Sequence, residues 1–217
     1  MEIKEILEEL YDLPFKRFGD LHWWPGETRF EIMVGAILTQ NTNWQNVEKA
    51  ITNLKKARVL SLDRLLQLPP EELSRLIRPA GYYNLKEKRL RNLLNLVQQD
   101  AGGDLDAFFK GPLKEVREKL LSSKGVGPET ADSILLYAGG RPTFVVDAYT
   151  MRILSRHHLI PAKAAYEEVR LLFMKNLPNK APFFNQYHAQ LVMIGKDYCK
   201  KSKPACEDCP LDSWQRS

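Results

Sequence analysis

Leu120-Leu121-Ser122-Ser123-Lys124-Gly125-Val126-Gly127-Pro128-Glu129-Thr130-Ala131 is the stretch that decides the fold. On its N-terminal side Leu113, Val116, Leu120 and Leu121 repeat at helical spacing, and on its C-terminal side so do Ile134, Leu135 and Ala138. Two helices therefore meet at Gly125-Val126-Gly127. Glycine admits positive φ and leaves the backbone bare, while Val126 between the two can turn inward as an anchor. Pro128 lacks an N–H and suits the first turn of the second helix. Glu129, just behind it, complements the helix dipole. A turn of this kind can present N–H groups to a backbone phosphate. It can equally be an αα-corner whose glycines serve only close packing.

Working outward, the same helical period continues almost everywhere. Val47, Ala50, Ile51 and Leu54 form one stripe, and Leu90, Leu93, Leu94 and Val97 another. Val169, Leu172 and Phe173 form a third, and His188, Leu191 and Val192 a fourth. Breakers separate them: Pro69-Pro70, Gly102-Gly103, Gly111-Pro112, Gly139-Gly140, Pro161 and Pro178. Only Thr143-Phe144-Val145-Val146 reads as extended, and it is too short to make a sheet. The predicted class is all-α.

The chain has 217 residues, enough for one large or two small domains. With 44% hydrophobic and 27% charged residues it is an ordinary globular composition, which excludes disorder and a disulfide scaffold. No apolar run approaches the ~18 residues of a membrane span. The first ten residues are acidic and helical rather than a signal peptide, so the expected location is cytoplasmic, with no membrane partner. The net charge of +5 is uneven. Residues 1–110 carry 16 basic and 16 acidic side chains, and residues 111–217 carry 16 and 11. A basic half suits a polyanion such as nucleic acid, and is also compatible with a plain solvated face.

The three cysteines, Cys199, Cys206 and Cys209, fall within eleven residues at C-x6-C-x2-C spacing. An odd, clustered set in a cytosolic chain points to a metal or iron–sulfur site rather than to disulfides.

About twenty residues beyond the hairpin, Val145-Val146-Asp147 ends an extended apolar run and starts another helix. Asp147 is by itself an ordinary N-cap. Yet helix–Gly-Val-Gly–helix followed at this distance by Val-Val-Asp resembles the helix-hairpin-helix DNA glycosylases of the endonuclease III superfamily. Three further blocks carry the resemblance. Ala36-Ile37-Leu38-Thr39-Gln40-Asn41-Thr42 is similar to that family's barrel helix with its glutamine, Gly81-Tyr82-Tyr83-Asn84-x-Lys86 to its G-φ-Y-N-x-K segment, and the cysteine tail to its cluster loop. Together they span residues 30 to 209, in the family's order.

The resemblance implies an endonuclease III-like fold of two helical domains. Residues 30–141 would be a six-helix barrel ending in the helix-hairpin-helix, and residues 1–29 with 142–217 a second domain carrying the cysteine loop. Asp147 would face the hairpin across a DNA-binding cleft. Bifunctional relatives carry a lysine two residues after the last hairpin glycine, where it attacks the sugar as a Schiff-base nucleophile. Here that residue is Glu129, and a carboxylate forms no imine. The implied reaction is therefore monofunctional: hydrolysis of a base–sugar bond, with Asp147 as the catalytic carboxylate that steadies the developing cation and directs water.

Trp23-Trp24-Pro25, ahead of the barrel, and Trp44, after the Gln40 helix, resemble most the 3-methyladenine members. Trp24, Pro25, Trp44 and Glu129 are the candidate base pocket. An alkylated purine bears positive charge on the sugar, and indole faces attract cations. Buried packing is the other reading of these tryptophans, Trp23 above all. A base must be flipped out to be reached. By resemblance Gln40 fills the gap and Tyr82 wedges the opposite strand, while Lys124, Gly125, Val126, Gly127 and Thr130 contact the DNA. Lys200, Lys201 and Lys203 are either further phosphate contacts or a solvated loop.

The family's loop runs C-x6-C-x2-C-x5-C, and its fourth position here is Gln215. The expected cofactor is a [4Fe–4S] cluster held by Cys199, Cys206 and Cys209, with zinc, no metal, or plain buried thiols as alternatives. The expected partner is damaged double-stranded DNA bound by a monomer, the reaction base excision of 3-methyladenine-like lesions. Two alternatives stand beside it: a bifunctional endonuclease III-like glycosylase with AP lyase activity for oxidised pyrimidines, and a non-catalytic helix-hairpin-helix DNA-binding protein.

Overall fold

The computed structural model describes residues 2–214. Its α-helices run in the order α1 Ile3–Phe18, α2 Arg29–Leu38, α3 Trp44–Lys56, α4 Leu62–Gln67, α5 Pro70–Leu76 and α6 Tyr83–Ala101. Then come α7 Leu105–Phe108, α8 Leu113–Ser122, α9 Pro128–Ser133, α10 Ala148–Arg156, α11 Tyr166–Asn176 and α12 Ala181–Asp197. A 3-10 turn at Arg78–Ala80 precedes α6, and a π-turn at Ile134–Ala138 continues α9. No strand occurs among the described residues, and Thr143–Val146 is buried extended chain, with Val146 N donating to the Tyr166 hydroxyl at 3.5 Å and Arg170 donating to Thr143 Oγ1 at 3.1 Å.

The chain divides into two compact units. One holds Met1–Trp24 and Gly140–Ser217, the other Pro25–Gly139. The sequence expectation put these boundaries at 29/30 and 141/142, a few residues later at each junction.

In the unit 25–139 the predicted stripes become one core. Met33, Val34 and Ile37 of α2, Val47, Ala50, Ile51 and Leu54 of α3, and Leu90, Leu93, Leu94 and Val97 of α6 are all buried, with Val116, Leu120, Val126, Ala131, Ile134 and Leu135. Side chains that stop the helices from fraying are local: Thr28 accepts from Glu31 N at 3.1 Å, and Asn43 from Asn46 N at 3.0 Å. Lys86 and Asp132 are charged groups buried in this unit with partners that match them. Lys86, 1% exposed, donates from Nζ to Leu38 O and Ala80 O at 2.7 Å each, tying the end of α2 to the turn before α6. Burial pulls its ammonium down to about 8, and Arg89 nearby pulls the same way. Asp132 on α9 receives both arms of Arg117 on α8, Nε to Oδ1 and Nη2 to Oδ2 at 2.9 Å. This two-pronged pair fixes the two helices of the hairpin against each other.

In the unit built from the chain ends, α12 is the spine. α1 packs on it and on α11, and α10 on it as well. Tyr187 donates to Leu7 O at 2.7 Å, and Gln186 donates to Gly19 O at 2.8 Å while accepting from Leu21 N at 2.9 Å. These bonds join the N-terminal segment to residues more than 160 positions away. An aromatic core of Phe144, Phe173, Phe184 and Tyr187 fills the centre, with Phe144 and Phe173 stacked at 3.7 Å between ring centroids.

Candidate active site and DNA-binding hairpin

The hairpin is a network rather than a bare loop. Gly125 has φ +102°, a conformation L side chains rarely take, and Val126 N closes the turn on Ser123 O at 2.9 Å. Val126 itself is 6% exposed and belongs to the core. Its side chain and its N–H are thus spent on holding the turn. Lys124, Gly127, Pro128 and Glu129 are exposed at its outer edge. Asn92 of α6 donates to Lys124 O at 2.9 Å. Arg89, also on α6, passes close under Gly125, so that a Cβ there would lie 2.3 Å from Arg89 Cγ.

Gln40, expected to fill the gap left by a flipped base, occupies the centre of this network. Its Nε2 donates to Gly125 O at 3.0 Å and to Thr130 Oγ1 at 2.9 Å, and its Oε1 accepts from Arg89 at 2.6 Å. Gln40 clamps the hairpin to the chain after α2. Thr130, 8% exposed, is the other end of that clamp rather than an open surface residue. Sequence reasoning missed Arg89. Nothing in its spacing marks it, because its role depends on α6 crossing beneath a glycine 36 residues further along the chain.

Tyr82, expected from the sequence as a wedge, is accessible. It is 69% exposed, in left-handed conformation at φ 45°, at the very start of α6. Leu85, one turn on, is 46% exposed. Trp44 begins α3, packs partly buried against the core, and donates from Nε1 to Glu48 Oε1 at 2.9 Å. Glu129 is exposed in the first turn of α9, and its carbonyl accepts from Ser133 Oγ at 2.7 Å. Trp24 and Pro25 are half-buried or exposed at the junction of the two units. Trp23 lines a groove of about 420 Å³ with Tyr11, Phe15, Phe183 and Gln186.

Asp147 caps α10, its Oδ1 accepting from Thr150 N at 2.7 Å. It is more than a cap. Its side chain is 12% exposed, and Oδ2 lies 3.5 Å from Nε2 of His188, a buried residue of α12. Burial alone pushes the carboxyl up, but the His188 imidazole and the bonds from Thr150 outweigh it, so the group stays below the ordinary carboxylate range. The result is a buried carboxylate kept ionised, suited to steady a cation. His188 appeared in the sequence only as one member of an apolar stripe. A polar residue there was a signal, but its partner lies 41 positions away and could not be read from spacing.

The cysteine loop follows α12 directly. Arg152, one turn and a half after Asp147, donates to Cys199 O at 2.7 Å and to Gly195 O at 2.8 Å. Arg156 donates to Lys200 O and Lys201 O at 2.7 and 2.9 Å, and to Cys199 Sγ at 3.2 Å. Cys199, Cys206 and Cys209 are free thiols lining one cavity of about 460 Å³, together with His157, His158 and Asp212. Burial pushes the Cys209 thiol up, and the other two cysteines and Asp212 add to that, so all four share one electrostatic neighbourhood. Among the described residues no three His, Cys, Asp or Glu side chains converge closely enough to grip a single metal ion. The three thiols line the same cavity without forming a clear cluster-binding group among the described residues. Gln215, at the family's fourth position, lies outside the described residues.

The chain thus carries a helix-hairpin-helix and, further along, an ionised aspartate at the start of α10. Residues 34–179 match the HhH-GPD superfamily of base excision DNA repair proteins, and the chain belongs to it. It is 46% identical over 209 residues to a Methanocaldococcus jannaschii protein provisionally named as a DNA repair glycosylase, covering 95% of this chain and 94% of that one. It is 28% identical over 207 residues to endonuclease III of Thermotoga maritima, covering 95% and 90%. Among solved structures it superposes on an H. pylori 3-methyladenine DNA glycosylase (MagIII) bound to 1,N6-ethenoadenine, with TM-score 0.75, 30% identity, and coverage of 88% of this chain and 96% of that one. A non-covalent endonuclease III–DNA complex superposes at TM-score 0.84 with 24% identity, covering 100% and 96%, a likeness of fold. General DNA glycosylase activity and DNA binding follow from this membership. No described helix is long and apolar enough to cross a membrane.

Proposed function

We propose that the protein is a monofunctional glycosylase that hydrolyses alkylated, 3-methyladenine-like bases from damaged double-stranded DNA, working as a monomer. The observation that carries this reading is Glu129. It stands where bifunctional relatives carry the attacking lysine, and it leaves Asp147 to act through water.

In this reading the C1′–N bond breaks with its electron pair passing to the cationic base, which departs neutral. Water adds to C1′, and its proton passes to Asp147 and on to solvent. Asp147, ionised and buried, opposes the positive charge that develops on the sugar. The base needs no strong acid to leave, because alkylation has already given it a positive charge. Trp24, Pro25 and Trp44 are the candidate base-pocket residues, and an indole face attracts such a charge by about 0.5–2 kcal/mol. Exposed Tyr82 supports its part as wedge. Lys124, Gly125 and Gly127 supply backbone and charge to a phosphate, while Val126 and Thr130 act from behind by holding the turn. Gln40 fills the vacated stack after letting go of Gly125 and Thr130. Cys199, Cys206 and Cys209 would hold an iron–sulfur cluster, which would tie down their loop and take no part in the reaction.

The test is release of free base from methylated and from oxidised duplexes, each with and without borohydride. Release from methylated DNA without covalent trapping is expected. A borohydride-trapped protein–DNA adduct, with activity on oxidised pyrimidines, would instead place the chain with the bifunctional enzymes. DNA binding without release from any duplex would leave a binding module.

A further inference from the structure

His188 stands on α12, outside every motif that defines the site, yet its Nε2 lies 3.5 Å from Asp147 Oδ2. It is 5% exposed, and its ring stands edge-on to Phe144 at 6.4 Å between centroids. Phe144 is in turn stacked on Phe173. The imidazole therefore cannot swing freely, and its position is inherited from the aromatic core. The N-terminus of α10 holds the other carboxylate oxygen, Thr150 N to Oδ1 at 2.7 Å. α10 is itself pinned along α12 by Arg152, through Gly195 O and Cys199 O. A carboxylate touched on one oxygen only can turn about its Cβ–Cγ bond, whereas one engaged on both oxygens is fixed in plane and direction.

We propose that His188 is a positioning residue for Asp147: its imidazole holds Oδ2 so that the carboxylate stays aimed and ionised when a sugar cation develops beside it. The inference rests on Asp147 acting as described under the proposed function. The groups that face Asp147 are the His188 imidazole from α12 and the N–H and hydroxyl of Thr150 from its own helix. A buried polar pair kept only for stability would share this geometry, so the test must separate aim from folding.

Two variants do so. His188→Leu removes the polar edge at similar bulk, and His188→Gln keeps an N–H donor on a flexible arm. Single-turnover base release from methylated duplex is expected to fall roughly ten- to a hundredfold in the leucine variant, the scale of a misplaced catalytic group. The glutamine variant is expected to recover most of the rate, and affinity for a duplex carrying an abasic analogue to stay unchanged in both. A second readout needs no substrate: carbon-detected titration of the Asp147 carboxyl in the protein alone. It is expected to move up towards the ordinary carboxylate range in the leucine variant and to stay low in the glutamine one. Should the leucine variant fail to fold, His188→Asn, whose shorter amide falls short of Oδ2, replaces it with the same expectations. Equal rates in the two variants, or an Asp147 titration unmoved by removing the imidazole, would overturn the proposal. If the unaltered protein releases no base from any duplex, the proposed function fails, and the carboxyl titration still decides whether His188 governs Asp147.

Discussion

Gly125→Ala and Gly127→Ala lie two positions apart and should differ in kind. At Gly125 the backbone has φ +102°, and an added Cβ would sit 2.3 Å from Arg89 Cγ and 3.0 Å from Arg89 Cβ. Holding a non-glycine residue in such a region costs about 1–3 kcal/mol. The clash falls on the root of Arg89, so the side chain cannot fold away at its tip. Moving it breaks the 2.6 Å bond to Gln40 Oε1, a charge-assisted bond of about 1.5–3 kcal/mol. Together these give a loss of about 3–5 kcal/mol, allowing some relaxation. At Gly127, φ is −92° and a Cβ would meet nothing within 4 Å, so stability should change by less than about 1 kcal/mol. That Cβ would nevertheless stand on the exposed face where a phosphate approaches, with DNA affinity expected to fall roughly tenfold. Urea denaturation and fluorescence anisotropy on a labelled duplex measure the two effects. The alanine at 125 should unfold early, and the alanine at 127 should unfold normally and bind weakly. Equal stability of both variants would refute the account of Arg89 and Gln40 as the frame of the hairpin.

Alkaline pH should stabilise the protein through Lys86. Its folded pKa of about 8 lies below the ordinary lysine value, so between the two the unfolded chain holds a proton that the folded one has released. Stability then rises with pH by up to about 1.4 kcal/mol per unit across that window, and denaturation curves of Lys86→Met should lack this rise. The neutral amine still has two N–H bonds for Leu38 O and Ala80 O. For the cysteine loop, freshly purified protein is expected to contain iron and absorb broadly in the visible. Cys206→Ser should lose both and melt earlier, while a colourless, iron-free, fully stable protein would remove the cluster.

The hairpin, the helical class and the candidate aspartate were legible because each is written in local pattern: Gly-x-Gly between two apolar stripes, and an acid after an extended run. What escaped were contacts made by long side chains across the fold. Arg89 and Gln40 meet over 49 residues, and Asp147 and His188 over 41. No spacing rule reaches that far, since both depend on which helix crosses which. Gln40 shows the gap most plainly. Its identity was legible, but its bonds to Gly125 and Thr130 were not. Val126 is the opposite case, an apolar residue between glycines whose inward turn is forced by its own chemistry.

The most direct measurement of the central claim is single-turnover base release by Asp147→Asn on a methylated duplex, beside its equilibrium DNA affinity. Asparagine can keep the cap on Thr150 but carries no charge. Release is expected to fall by roughly 10²–10⁴-fold while affinity stays within about threefold. An asparagine variant that releases base at the original rate would show that Asp147 merely starts a helix, and that the chemistry lies elsewhere.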